Sequence, residues 1–352
     1  MKKIVIALAF AAAALSLSGC EKAATAGTND ANKKYFDAWM ITNYPDAVKV
    51  DPGYYIISET PGTGDLAGSE DDHYFAYMEY TAYDLDGNVQ TTTDEKVAQQ
   101  VGTYDSANYY GPKVMIRGDA SMTAGLDAVI SRMKVGGSVK VIIPGWLNAT
   151  ASQSTDYLYP RYDTEEEYLK KCTGTNAIYD IKLVDGFNDV YRWENDSLRA
   201  CAHKIMPGVD TLKYGFYYNQ TQAPTITDEA DTLVTGDVVY INYYGRLLNG
   251  QMFATTVADS AKFYNIYNVN TTYETQAVYI DKDDYTNIKL GTSSDGDDCV
   301  DGFAYAISLM EVGEKGTALF YSAYGYSYSG SGSVIPPYSP LRFDFEIVSK
   351  KE

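Results

Sequence analysis

The chain has 352 residues, 45% of them apolar and 21% charged, which excludes a disordered polymer and supplies material for about two domains. Twenty-eight Lys and Arg stand against 47 Asp and Glu, and the net charge of -19 repels a phosphate backbone, so nucleic acid is excluded as a general partner. With two His in the chain, His73 and His203, a multi-His centre has no material, and no metal or other cofactor is expected.

Residues 1–20 carry Lys2-Lys3, an apolar run over 4–15 and then Leu17-Ser18-Gly19-Cys20, the pattern of an export signal too short to span a bilayer as a mature helix. The Leu-Ser-Gly-Cys ending resembles a bacterial lipobox, which implies that Cys20 becomes the first residue of the mature protein and carries the lipid. An ordinary secretory signal with an incidental Cys is the plainer alternative. Either way the expected location is the cell envelope, periplasmic or surface-facing. Residues 21–50 then read as a flexible tether rich in Ala, Thr, Asn and Gly, followed by a short helical segment containing Trp39.

Beyond the tether the chain repeats itself. A first strand begins at Gly53-Tyr54-Tyr55-Ile56-Ile57 and has a counterpart at Gly215-Phe216-Tyr217-Tyr218. Next, Tyr80 precedes Gly87 by seven residues, as Tyr243 precedes Gly250, and Asp86-Gly87 and Asn249-Gly250 supply the tight turn of a hairpin. Gly125-Leu126 to Val135-Gly136 and Gly302-Phe303 to Val312-Gly313 share one spacing between glycines. Each encloses an amphipathic helix: Leu126, Val129, Ile130 and Met133 in one, Phe303, Ala306, Ile307 and Met310 in the other, fall at i, i+3, i+4 and i+7. Gly136 and Gly313 are expected to stop these helices. A strand (138–143 or 317–321), a long loop and a closing strand (178–184 or 341–348) complete each copy, aligning Tyr179-Asp180 with Phe343-Asp344. A second Trp-containing segment over 190–204 reads as a helical packing or linker element. The fold class is therefore α+β, two domains that each wrap a curved antiparallel sheet on one short helix.

Setting Cys20 aside leaves Cys172, Cys201 and Cys299, which permit one bridge at most; Cys172 with Cys201 is one pairing, and buried free thiols are the alternative. No residue beside them is placed to activate a nucleophile. The acidic runs Asp281-Lys282-Asp283-Asp284 and Asp295-Gly296-Asp297-Asp298 do not fit an EF-hand register and read as solvated turns.

Four blocks of the second copy, in order, carry a family resemblance. They are Val239-Tyr240-Ile241-Asn242-Tyr243-Tyr244-Gly245 with Asn249-Gly250-Gln251-Met252-Phe253; Val300-Asp301-Gly302-Phe303; Leu309-Met310-Glu311-Val312-Gly313-Glu314-Lys315; and Gly332-Ser333-Val334-Ile335-Pro336-Pro337 leading to Leu341-Arg342-Phe343-Asp344. Residues 212–348 resemble an FKBP-type peptidyl-prolyl cis-trans isomerase domain. The resemblance implies a proline pocket lined by Tyr243, Phe253, Val300, Phe303, Tyr326, Ile335 and Phe343. In it Tyr243, the backbone N–H of Val300 and the phenol of Tyr326 take catalytic roles, while Phe253, Phe303, Ile335 and Phe343 bind the substrate. Phe303 stands where the family usually has Trp.

Two features depart from the pattern: Ala254 replaces an Asp linked to catalytic efficiency, and Thr286 and Ile288 precede Gly291 where aromatics are expected. The stretch from Phe253 to Gly302 is about fourteen residues longer than its counterpart and holds Tyr264, Tyr267, Tyr273 and Tyr279, a lid, a partner surface or simply strand-forming residues. In copy one, Gln90 stands at the place of Phe253 and Leu126 at that of Phe303, and a long segment with Tyr157, Tyr159, Tyr162 and Tyr168 replaces the flap.

The expected organisation is a lipoprotein signal at 1–20, the tether at 21–50, a degenerate FKBP-like domain at 51–187, and a linker segment plus an FKBP-like isomerase domain at 188–352. The expected function is an exported, lipid-anchored isomerase or folding factor acting on Xaa-Pro bonds of unfolded or newly exported proteins. The alternative is a noncatalytic peptide- or protein-binding module on the same scaffold.

Overall fold

A computed structural model of the protein describes residues 28–67, 74–118, 122–149, 162–225 and 232–351; Cys20 with the signal segment, His73, Tyr157 and Tyr159 lie outside the described residues. The first half opens with α1 (Thr28–Asn43) and continues through β1 (Val48–Val50), β2 (Tyr54–Thr60), β3 (Phe75–Tyr83), β4 (Val89–Thr92), α2 (Glu95–Val101), β5 (Lys113–Ile116), α3 (Ala124–Ile130), β6 (Ser138–Ile143), α4 (Glu165–Lys171) and β7 (Ala177–Phe187). The second half holds α5 (Val190–Ile205), β8 (Phe216–Gln222), β9 (Val238–Leu247), β10 (Met252–Thr255), α6 (Ala258–Phe263), β11 (Gln276–Tyr279), β12 (Lys289–Leu290), β13 (Asp297–Asp298), α7 (Asp301–Ser308), β14 (Lys315–Phe320) and β15 (Leu341–Lys350).

Among the described residues each half forms one antiparallel sheet, and the central order β2-β6-β7-β3 recurs as β8-β14-β15-β9. The repeat extends to single hydrogen bonds: Gly136 N–H donates to Leu183 O and Gly313 N–H to Ile347 O, both at 2.8 Å. Alternation along the closing strands explains why the sheets have one core face. In β15, Leu341, Phe343, Phe345 and Ile347 are buried while Arg342, Asp344 and Glu346 are not; in β7, Tyr179, Ile181 and Leu183 alternate with Asp180 and Lys182. The outer faces carry ion pairs instead, Lys182–Glu79 at 3.3 Å in one half and Lys315–Glu346 at 3.0 Å in the other.

The expected helix of each copy is α3 or α7, and all eight positions of the two expected stripes are buried. These helices are shorter than expected, ending at Ile130 and Ser308. Gly136 and Gly313 are therefore not their caps. Both adopt left-handed backbone, at φ 84° and 79°, in the turns that enter β6 and β14. The two Trp-containing segments are helices, and they dock differently: α1 enters the main core of its half, whereas α5 forms a separate cluster. Phe36 and Met40 of α1 join the first core, and Leu198 and Ala202 of α5 pack with Met206, Tyr217 and Leu319. No helix among the described residues is long and apolar enough to cross a membrane.

Cys172, Cys201 and Cys299 are free thiols, and burial pushes that of Cys299 up to about 11, so it is a weak nucleophile at neutral pH. In the long stretch of the second half only Tyr279 lies in a strand. Tyr264 and Tyr267 are exposed beyond α6, and Tyr267 stacks on Tyr273 at 5.1 Å, so strand propensity does not account for them. Asp281 closes its own turn by accepting the amides of Asp283 and Asp284 at 2.9 Å each.

Candidate active site

The site is built where β9 and β15 pair, because their core-facing residues are aromatic. Phe343 lies opposite Gly245 and Phe345 opposite Tyr243. A Cβ at Gly245 would sit 2.6 Å from Phe253 Cε2 and 3.0 Å from Phe343 Cε1, so glycine is what allows two rings to close over the strand. Phe253 stands at a bulge between Met252 and Ala254 in β10, which turns it toward this ring pair. From α7, Phe303 stands edge-on to Phe343 at 5.5 Å, to Tyr243 at 5.5 Å and to Phe345 at 4.9 Å. Such edge-to-face packing fixes ring orientation and leaves a rigid apolar surface.

Two segments supply polar atoms and the remaining wall. Val300 is the residue before α7, with extended backbone at φ -66° and ψ 145°, and no described residue accepts its N–H. The loop from β14 to β15 contains a 3-10 turn (Ser322–Tyr324), then Tyr326, and then a tight turn in which Ser331 N–H donates to Ile335 O at 2.7 Å. Gly330 is required in this flap: it has φ 62°, and a Cβ there would meet Ile335 O at 2.2 Å. The hydroxyls of Tyr243 and Tyr326 have no hydrogen-bond partner among the described residues, and burial raises the pKa of both. They therefore stay neutral donors at physiological pH.

All seven positions named for the pocket belong to one cluster: Phe303, Ile335 and Phe343 are buried in it, and Tyr243, Phe253, Val300 and Tyr326 pack against it half-exposed. Ile288, at a position where aromatics are expected, is buried in the same cluster, whereas Thr286 turns outward to Asp284. Cys20 lies outside the described residues. In the first half the equivalent positions carry different groups. Gln90 reaches back to Asp84 at 3.1 Å on the surface, Leu126 fills the helix position, and Tyr179 spends its hydroxyl on Asn148 at 2.9 Å.

One supporting residue escaped the sequence. Glu194 of α5 is fully buried and accepts Ser322 N–H at 2.6 Å and Ser322 Oγ–H at 2.7 Å, pinning the base of the flap that carries Tyr326. Burial lifts its carboxyl to about 7, against an ordinary value of 4.5, despite the two Ser322 bonds that favour ionisation. A pKa raised on folding means that the folded state binds the extra proton. The associated stability is full below pH 4.5 and is lost as pH rises through about 7. Glu194→Gln should flatten this slope, an effect of up to roughly 3 kcal/mol between pH 5 and 8. Urea unfolding at several pH values checks it, and a variant with the parent's slope would remove Glu194 as the cause.

The family model described as FKBP-type peptidyl-prolyl cis-trans isomerase matches residues 229–348. The chain is similar to FK506-binding protein 1 of Saccharomyces cerevisiae, 30% identical over 114 residues that make up 32% of this chain and 76% of that protein. It is also similar to a macrophage infectivity potentiator of Trypanosoma cruzi, 38% identical over 53 residues, 15% of this chain, and it spans only 27% of that relative's length. A solved structure of the three FKBP domains of wheat FKBP73 aligns with 86% of this chain and 96% of its own, at 14% identity and a TM-score of 0.29.

Proposed function

Because the chain belongs to the FKBP-type peptidyl-prolyl cis-trans isomerase family, we propose that its second half rotates Xaa-Pro bonds of unfolded or newly exported polypeptides. The observation that carries this reading is the pairing of a rigid ring surface, formed by Phe253, Phe303 and Phe343, with three unpartnered donors, Val300 N–H and the hydroxyls of Tyr243 and Tyr326. A prolyl ring is an apolar wedge with no N–H to satisfy, so an aromatic surface accepts it without stranding a donor. Rotation about the amide faces a barrier of about 18–20 kcal/mol, held up by resonance. The twisted amide has lost that resonance, and a water-poor pocket that binds it more tightly than either planar form lowers the barrier without a nucleophile. Val300 N–H and Tyr326 Oη–H hold substrate carbonyl oxygens, and Tyr243 completes the polar rim.

The first half acts as a degenerate copy without isomerase activity, a reading supported by Gln90 and Leu126 at the places of Phe253 and Phe303 and by the Tyr179 hydroxyl being taken by Asn148. The Leu17-Ser18-Gly19-Cys20 motif supports export and lipid attachment at Cys20 in the cell envelope, periplasmic or surface-facing. Retention of a Cys20→Ser variant in the membrane fraction would remove that part of the proposal. Ala254, at the position of the family's usual Asp, favours a second reading, a noncatalytic peptide-binding module. The two separate in one experiment: cis/trans isomerisation of a short Xaa-Pro peptide, which unassisted takes tens to hundreds of seconds, followed with the chain from residue 21 onward. Acceleration supports the isomerase; a background rate with measurable peptide binding supports the module.

A further inference from the structure

The connection from α2 to β5 in the first half reaches the pocket of the second. Tyr109 N–H donates to Ser333 O at 2.8 Å, Gln251 Nε2–H donates to Asn108 O at 2.9 Å, and Ser333 Oγ is hydrogen-bonded to Asn108 Oδ1. Farther out, Ser106 Oγ–H donates to Asn265 O at 2.7 Å. The Tyr109 ring packs against the buried cluster that contains Phe303, Ile335 and Phe343. Ser333 is the tip of the flap, two residues from Ile335, and Gln251 is in the β9–β10 turn, two residues from Phe253. One short segment of the first half thus ties together two walls of the second half's pocket.

The segment is itself held firmly. Tyr109 Oη–H donates to Pro112 O at 2.9 Å and Gly111 N–H to Thr93 O at 2.8 Å, which anchors it beside β4. Gly111 has φ 133°, and a Cβ there would lie 2.9 Å from Tyr109 Oη, so the bend needs glycine. A second contact, Phe75 edge-on to Tyr338 at 5.5 Å, joins the first sheet to the far end of the same flap. The flap has little regular structure of its own and uses left-handed backbone at Ser327, Gly330, Gly332 and Tyr338. Internal bonds such as Tyr338 N–H to Ser327 O at 2.9 Å shape the loop, and the contacts from the first half tie its tip to the β9–β10 turn.

We propose that Asn108 and Tyr109 are positioning residues for the second half's reaction, and that the first half serves as a clamp that fixes the flap tip against the β9–β10 turn. The proposal rests on the isomerase reading of the second half. The segment is a clamp and not a plug, because the Tyr109 hydroxyl turns back to Pro112 in its own half while Val300 N–H and the Tyr326 hydroxyl stay unpartnered. A wall fixed before substrate arrives spares the substrate the cost of ordering it, so the clamp acts on binding and leaves the rotation step unchanged.

The test uses the chain from residue 21 onward with Asn108→Ala, Ser333→Ala, the double variant and Asn108→Asp, which keeps an acceptor for the Ser333 hydroxyl. One hydrogen bond corresponds to about a fivefold change in an equilibrium constant. Asn108→Ala and Ser333→Ala should each raise KM for a short Xaa-Pro peptide about threefold to fivefold with kcat within about twofold of the parent. The double variant should be no worse than either single, and Asn108→Asp should recover the parent's KM. Amide hydrogen exchange over residues 331–335 should speed up in the alanine variants and not in Asn108→Asp. Unchanged KM and exchange, or a higher kcat/KM on releasing the segment, overturns the clamp. A parent chain with no isomerisation loses the isomerase reading instead, and exchange over 331–335 then decides the clamp alone.

Discussion

Tyr326→Phe is expected to lower kcat/KM for a short Xaa-Pro peptide roughly tenfold while leaving stability within about 0.5 kcal/mol of the parent. The two halves of this expectation come from one observation. The Tyr326 hydroxyl has no acceptor among the described residues, so removing it breaks no internal hydrogen bond, and the ring that packs against the cluster stays. On the proposed function, what is lost is a donor for the substrate carbonyl. A factor of ten corresponds to about 1.4 kcal/mol of transition-state stabilisation, within the range of one hydrogen bond in a water-poor site. Because burial raises the pKa of this phenol, it stays protonated throughout the neutral range and contributes no pH dependence of its own there. Tyr243→Phe is the companion variant, since Tyr243 offers the other unpartnered phenol in the same cluster. Activity of Tyr326→Phe within twofold of the parent would shift the catalytic role to the Val300 amide and to the apolar surface.

The sequence made the repeat legible because spacing survives where identity does not. Paired glycines, the two buried helical stripes and the alternating closing strands follow from periodicity and appear in the fold at those positions. The error over Gly136 and Gly313 has a physical origin. A left-handed glycine serves equally as a helix cap or as a turn before a strand, and Met133 and Met310, buried beyond the helix ends, extend the apolar stripe past the helix proper. Two short helices carry end signals rather than a long apolar stripe. The α2 helix is capped by Asp94, which accepts the amides of Lys96 and Val97, and ends on Gly102 at φ 76°. For α4, Thr164 is followed by Glu165, Glu166 and Glu167, with Lys170 and Lys171 in the last turn. By contrast, Glu194 against Ser322 and Asn108 against Ser333 join residues 128 and 225 positions apart. Such contacts depend on how whole elements dock, and no local pattern in the chain announces them.

Phe343→Ala should cost the second half about 3–5 kcal/mol and eliminate its isomerisation activity. Phe343 is buried and is the hub of the ring cluster, with Tyr243 at 6.1 Å, Phe253 at 5.6 Å, Phe303 at 5.5 Å, Phe320 at 5.8 Å and Phe345 at 5.5 Å. Truncation leaves a cavity that these five rings cannot all collapse into, because Gly245 offers no side chain to follow them. A domain of ordinary stability, about 5–15 kcal/mol, remains folded after that loss but loses a large share of its margin. In urea the transition of the second half should move down by about 2 M, while that of the first half, whose core does not contain this cluster, should stay. Phe343→Leu then separates packing from ring geometry. It keeps most of the volume and should cost under about 2 kcal/mol, yet it removes the flat face that orients Phe253 and Phe303. If Phe343→Leu folds and retains the parent's kcat/KM, the pocket needs only apolar volume at this position; if it folds and is inactive, the edge-to-face array is what recognises the prolyl ring.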